Sequence, residues 1–485
     1  MVAALLAAAM VACTQGPKEE APKADTSSPP PSESVLGTQQ ASLSISQTPV
    51  MVRTSATQTA LADGRVLLAG GTVNGSTGGT RHAELFTYAS PSTTWQATGQ
   101  LITGRYDHAA TRLQDGRVLV SGGITTDGDW KSVELYSPTS GQWTAAAPMG
   151  TARARHTQTL LANGKVLVIG GDNPTTGQGL ASAEIFDPAA GTWTATAAPG
   201  FGYSGHSATL LPDGRVLVLG NRKEHELYNP TTNTWTRTAN SPAVLSAGHT
   251  ATVRSTPNVE VLVVGTQWLN GQALPIGYRY LPGNNAWGIA SAPSVARKGH
   301  QAVKLANGAV RIVGGVHPTQ GTPIAAVERF NNNHNWYTEP PLGQARQDVR
   351  ATLVGPSDPM LASGGWTAPT DGGTPARLAP ELYSGCVAKT ACAAGQCGGI
   401  PDNCGGSIDC GANCPSGESC NWGTNQCQPQ CWQTNPCAQG RCGIQPADSC
   451  GSTTVDCGAC PTQCPLGKVN CCGACYADAE CDSHC

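Results

Sequence analysis

The sequence predicts an all-β chain, a ring of seven small antiparallel sheets followed by a small disulfide-rich region. Three observations predict it. A unit of about 50 residues repeats from residue 41 to 385. Gly (59) and Pro (35) together make 94 turn-prone residues, against only 5 Met and 4 Phe, a balance that suits many short strands better than packed helices. Of 21 cysteines, 20 crowd into residues 386–485 and none lies between 14 and 385, so at least two physically different domains are present.

At 485 residues the chain exceeds one ordinary core and fits two to four domains, at about 100–200 residues each. Charged residues are 13%, and 29 basic against 32 acidic side chains leave a net charge of −3. That balance carries no electrostatic footprint for nucleic acid and argues against such a partner.

Residues 1–12 read as a signal peptide, because Val2–Ala12 is an uncharged apolar run of 11, too short to span a bilayer. The run ends in Met10-Val11-Ala12-Cys13 and resembles a bacterial lipoprotein signal. The resemblance implies cleavage before Cys13 and lipidation of its thiol. The alternative is an ordinary free thiol behind an apolar leader, in a secreted chain. Residues 13–40 then form a disordered tether, with Pro29-Pro30-Pro31, mixed charges at Lys18, Glu19, Glu20 and Lys23, and almost no aliphatic content. Thr14–Gln40, 27 residues, would reach roughly 80 Å when extended.

The repeats span 41–385. His156 to Gly171 and His206 to Gly220 read alike: a strand, an Asn-Gly or Asp-Gly turn, then an apolar strand running into Gly. Such dipeptides favour two-residue hairpins, whose central positions both need positive φ. A third strand follows (Ala183–Pro188), then a fourth bearing Trp193. The first Gly of each anchor stands at 70, 122, 170, 220, 265, 314 and 364, at spacings of 52, 48, 50, 45, 49 and 50. Four strands at this period are the signature of a kelch propeller. The 345 residues resemble the bacterial kelch, galactose-oxidase-like family. The seventh unit lacks its fourth strand, while residues 41–50 align with the outer strand and link of other units. A seven-bladed ring closed by an N-terminal strand in the last blade is therefore expected, which also protects sheet edges.

The apolar runs at 66–68, 118–120, 166–168, 216–218 and 261–263 lack alternation, as expected for strands buried on both faces. Trp95, Trp143, Trp193, Trp235, Trp287 and Trp336 recur at equivalent outer-strand positions and read as packing. Arg53, Arg105, Arg153, Arg297 and Arg346 each precede by three residues a position that is His at 108, 156, 206, 249 and 300. Glu84, Glu134, Glu184, Glu226, Glu328 and Glu381 open the third strands. Strand direction brings all three sets near one rim. One reading is Arg–Glu pairs between blades with His bonded to backbone; the other is a cationic mouth binding carboxylates or sugars. A histidine metal ring is disfavoured, since zinc needs Zn–N near about 2 Å and one His per blade is spread around the axis. No metal and no cofactor is expected. The loops after the glycines (72–82, 124–132, 172–182, 221–225, 266–276, 316–326 and 366–380) vary most, and Trp130, Trp268 and Trp366 stand there outside the repeat pattern. Aromatic faces beside polar groups suit sugar or peptide binding; packing onto neighbouring blades is the alternative.

Cysteines of the tail form two copies of eight: Cys386, Cys392, Cys397, Cys404, Cys410, Cys414, Cys420 and Cys427 match Cys431, Cys437, Cys442, Cys450, Cys457, Cys460, Cys464 and Cys471. Cys472, Cys475, Cys481 and Cys485 make a short extra piece. Modules at 386–430 and 431–485 follow, with disulfides replacing a core too small to suffice and connectivity left open. They resemble the cysteine-rich repeats of secreted myxobacterial proteins.

The family resemblance raises a copper-radical oxidase, which needs a thioether-linked Cys–Tyr pair in the propeller; with no cysteine between 14 and 385, that cofactor cannot form. A kelch-type sugar epimerase or mutarotase-like enzyme acting at the channel mouth is the second option. The favoured reading is a non-catalytic envelope or cell-surface lipoprotein, monomeric and membrane-attached only through its lipid. It would present propeller loops to a glycan or protein ligand, for binding or adhesion.

Overall fold

The computed structural model describes residues 51–73, 78–89, 92–255, 258–355, 358–367 and 376–384, with 42–43 and 49 before them and short strands between 399 and 476. Six four-stranded sheets and one five-stranded sheet, all antiparallel, follow one another along the chain. The first six take their strands, here a to d, in sequence order. In blade 3 they are Thr157–Leu160, Val166–Ile169, Ala183–Asp187 and Thr192–Ala195. The a strands of successive blades lie side by side around the ring, that of blade 7 (Gln347–Leu353) against that of blade 1 (Thr57–Ala60). The seven-bladed propeller closes as its sequence predicts. Ser42–Leu43 pairs with Leu382–Tyr383 and supplies the d strand of blade 7.

Why the b strands carry unbroken apolar runs is plain from their surroundings. Val166, Leu167, Val168 and Ile169 are fully buried because each sheet has a neighbour on both faces. Val166 and Val168 pack with Leu113, Leu119 and Leu135 of blade 2, while Leu167 and Ile169 pack with Val216 and Val218 of blade 4. The core is thus seven slabs, one between each pair of blades, including Val66 and Phe86 against Leu361 and Leu382 at the seam.

The repeated tryptophans fasten blade to blade. Each stacks on the aromatic residue opposite it on strand c, from Phe86–Trp95 to Phe330–Trp336, with ring centroids 4.9–5.3 Å apart. Five indoles then donate to a carbonyl just beyond the preceding blade's d strand: Trp143 to Gly99, Trp193 to Ala147, Trp235 to Ala197, Trp287 to Ala239 and Trp336 to Ser291, all at 2.8 Å. Blade 7 has Ser42 where the others have Trp. There the Tyr383 hydroxyl takes over, donating to the equivalent carbonyl, Pro340, at 2.8 Å. Tyr383→Phe is expected to cost about 1 kcal/mol, read as a lower urea midpoint at unchanged m value. An unchanged midpoint would show that this hydroxyl holds nothing.

The glycine anchors are explained by their neighbours. Gly122 has φ +55°, and a Cβ there would sit 2.4 Å from the Arg153 carbonyl and 3.0 Å from the His156 ring of the next blade. Only glycine combines that backbone with that proximity.

Among the described residues no helix is long and apolar enough to cross a membrane. The backbone of the cysteine-rich region shows four two-stranded hairpins, Gly399–Pro401 with Ser407–Asp409 being the first; Cys420 stands opposite Cys427 in the second. The signal peptide, the lipidated Cys13 and the disulfides expected from the sequence lie outside the described residues or side chains.

Candidate functional site

Two faces bound the ring. One carries the a–b and c–d turns; the other carries the b–c loops and the links between blades. The chain enters strand d of blade 7 at Ser42 and leaves strand c at Tyr383, both on the turn face. The loop face therefore has no covalent attachment at these ends.

On the loop face the sequence singled out five arginines. All are buried, with 0–2% of the residue exposed. Arg105 binds Glu134 at 2.8 Å, Arg153 binds Glu184 at 2.9 Å and Arg346 binds Glu381 at 2.9 Å, and Arg53–Glu84 and Arg297–Glu328 pair in the same way. Each pair closes within one repeat rather than between blades, clamping the incoming link onto its own strand c. The clamp is two-sided: Arg153 also donates to the Gly170 carbonyl at 2.6 Å, and Glu184 accepts from the Gly150 and Thr151 amides at 2.6 and 3.0 Å. Burial pulls the arginines at 53, 153, 297 and 346 below their usual range, opposed by the paired carboxylate. Blades 4 and 5 depart from the pattern. Tyr203 stands at the arginine position and donates to Glu226 at 2.7 Å; in blade 5 Ser246 and Tyr278 replace both partners.

It is the histidines that bridge blades, through side-chain hydroxyls, while the expected bond to backbone is made by His249, whose Nδ1 meets the Ser246 carbonyl at 2.9 Å. Nε2 of His108 meets Thr57 Oγ1 at 2.9 Å, His156 meets Ser121 at 2.8 Å, His206 meets Thr157 at 2.9 Å, His249 meets Ser207 at 3.1 Å and His300 meets Thr250 at 2.9 Å. Burial drives all five below their usual value, His206 to about 3.

A second column of residues lies one position before those histidine positions, with Arg155 and Asp348 exposed and the others half-buried. Ser55, Asp107, Arg155, Gly205, Gly248, Gly299 and Asp348 all have left-handed backbone, with φ between 52° and 80°. Amide-to-carbonyl bonds join four of the seven neighbouring pairs, Asp107 to Ser55 at 3.1 Å, Arg155 to Asp107 at 2.8 Å, Gly248 to Gly205 at 3.3 Å and Gly299 to Gly248 at 2.9 Å. The girdle so formed frames the channel mouth. Blades 4–6 contribute bare glycine; blades 1–3 and 7 contribute side chains. Arg155, whose side chain is 55% exposed, reaches Asp107 at 3.0 Å and Asp172 at 2.7 Å, and Ser204 donates to Asp172 at 2.5 Å. This polar cluster was not singled out from sequence, because the seven residues share a backbone shape and not a chemical type. Their constant place, just ahead of the histidine column, was the available signal.

The loop tryptophans are not brought together. Trp130 lies on blade 2, Trp268 on blade 5 and Trp366 on blade 7, so no two are on neighbouring blades. Trp130 and Trp366 are half-buried, whereas Trp268 is 54% exposed. Residues 266–276, read from sequence as a loop, are instead a continuation of strands b and c into a hairpin, Glu260–Leu269 with Gln272–Leu281. The Asn270-Gly271 turn, at φ +50° and +76°, was the overlooked hairpin signal.

The ring and its four-stranded blades define a seven-bladed β-propeller, and a kelch motif is present in it. The Kelch motif family matches residues 158–199, which take in most of blade 3. Among solved structures, a fungal alcohol oxidase of the AA5 family, in complex with copper, is 18% identical with a TM-score of 0.51, over 69% of this chain and 74% of that one. YjhT is also 18% identical, with a TM-score of 0.46, over 61% of this chain and 99% of that one. No curated protein matches. These likenesses concern the fold. The donors here do not fit a copper-radical centre: no cysteine lies between 14 and 385, and the five histidine Nε2 atoms are engaged by hydroxyls.

Proposed function

We propose that this chain is an exported, non-catalytic binding protein whose loop face takes a glycan at the channel mouth. The observation that carries the reading is the exposed Arg155 held between Asp107 and Asp172 on the girdle. A guanidinium flanked by carboxylates offers donors and acceptors in fixed directions, which is what a polyhydroxylated ligand requires. The sets that an acid–base sugar enzyme would draw on, the rim Arg, Glu and His, are buried in structural bonds. The N-terminal apolar run, Cys13 and the Pro-rich tether support export and attachment at the cell envelope.

Arg155→Gly tests the reading, because glycine accepts the φ of +54° at this position and Asp172 keeps its bond from Ser204. On a glycan array followed by calorimetry with the full chain, the variant is expected to bind at least about tenfold more weakly at an unchanged melting temperature. Equal affinity would remove the mouth from the reading. Retention of a protein ligand and of no glycan would replace the glycan by a protein.

A further inference from the structure

We infer that the blade 5 hairpin is a membrane-inserting finger, directed at an anionic bilayer that faces the loop side of the ring. In blades 1–4 and 6 strand b stops just before its glycine anchor, whereas in blade 5 it continues for five residues, Gly265–Leu269. At about 3.3 Å per residue the hairpin rises roughly 16 Å beyond the position where those strands end. From Val261 to Tyr278 it carries no charged residue. At its tip Trp268 and Leu269 are 54% and 55% exposed, large apolar groups that the fold leaves in water.

The arrangement of these two side chains selects the partner. Successive strand residues point to opposite faces, so Trp268 and Leu269 project from the two sides of a two-stranded ribbon. A rigid surface, whether a sugar ring or a protein face, meets one side only. A fluid apolar phase that the tip enters buries both together, and Trp is at home at the boundary of such a phase. Charge agrees. The hairpin base is bracketed on one side by the link of blade 5, where the Ser246 amide bonds the Thr266 carbonyl and the Leu245 amide bonds the Arg222 carbonyl. On the other side the Thr266 hydroxyl bonds the Arg297 carbonyl, next to Lys298. Exposed Lys223 and Lys298 thus flank an uncharged finger, as anionic headgroups around an inserted tip would require. Val244, 51% exposed on the same link, adds an apolar shoulder.

The test uses the full chain with vesicles of phosphatidylcholine alone, or of phosphatidylcholine and phosphatidylglycerol at about 3:1, containing brominated acyl chains. Quenching is compared between the wild type and Trp268→Phe, so the difference reports residue 268 whatever the N-terminal segment does. Quenching of the Trp268 emission in the anionic vesicles is expected. Lys223→Glu with Lys298→Glu should weaken it about fivefold or more for each lysine, and Trp268→Ser with Leu269→Ser should weaken finger-dependent flotation about tenfold or more. Identical quenching of wild type and Trp268→Phe, or quenching indifferent to the anionic lipid, would overturn the inference. So would loss of glycan but not vesicle binding in the double serine variant. Arg155→Gly is expected to leave vesicle quenching intact, so failure of the finger and failure of the mouth are separable.

Discussion

Lowering the pH from 7.5 to 5 is expected to remove several kcal/mol of the propeller's stability, by a mechanism that resides in its histidines. Six imidazoles, His108, His156, His206, His225, His249 and His300, are buried, and burial pushes each below its ordinary value, His206 and His225 to about 3. Unfolded, each would titrate near about 6.5. Below that pH the unfolded chain takes up protons that the folded ring refuses, so stability is full above about pH 6.5 and falls as the pH drops toward the folded values. At pH 5 His206 and His225, both at about 3 in the fold, each forfeit roughly 2 kcal/mol, a large share of the ~5–15 kcal/mol that a domain ordinarily possesses, and the other four buried rings add to the loss in the same direction. Urea unfolding followed against pH should show about two protons bound on unfolding near pH 5 from His206 and His225 alone, and more as the other buried rings contribute. His156→Gln, which keeps a partner for Ser121, should lower that count by one. A slope of one proton or less would mean that the buried rings are already protonated in the fold.

The same histidines show how far the sequence could be read. Period, turns and the non-alternating b strands depend on what a repeated residue type does to backbone and burial, so the ring, its blade number and its N-terminal closure were legible. The Trp column was legible for the same reason, and the carbonyl that each indole bonds falls four residues after the preceding Trp. Partner choice was not. The Arg and Glu columns lie close in the fold whichever blade each contacts, and only the path of the link decides that Arg153 turns inward to Glu184 of its own repeat. The channel girdle was illegible because Ser55, Asp107, Arg155 and Gly205 satisfy one backbone demand with four chemistries. The blade 5 finger was misread because its Asn270-Gly271 hairpin turn stood inside a stretch read as an irregular loop.

Those clamps are where a single side chain is expected to cost most. Arg153→Ser should destabilise the ring by about 3–5 kcal/mol, since it leaves the Glu184 carboxylate buried with two amides and no cation, and the Gly170 carbonyl without its guanidinium donor. The chain contains its own control. Blade 5 closes with Ser246 and Tyr278 in place of the Arg and Glu, and blade 4 satisfies its glutamate with the Tyr203 hydroxyl alone. If the cost of Arg153→Ser is the stranded charge, then Arg153→Ser with Glu184→Tyr, which copies blade 5, should be more stable than the single variant. Arg153→Tyr, which copies blade 4, should likewise recover part of the loss. Urea denaturation of the wild type, Arg153→Ser, Glu184→Tyr and their combination forms a double-mutant cycle, and a coupling of about 1–3 kcal/mol is expected between positions 153 and 184. Additive losses would place the cost in packing around the guanidinium stem. The pair would then be worth no more than its shape, and the alternation of clamped and unclamped blades would reflect how each link fills space, with no buried charge to satisfy.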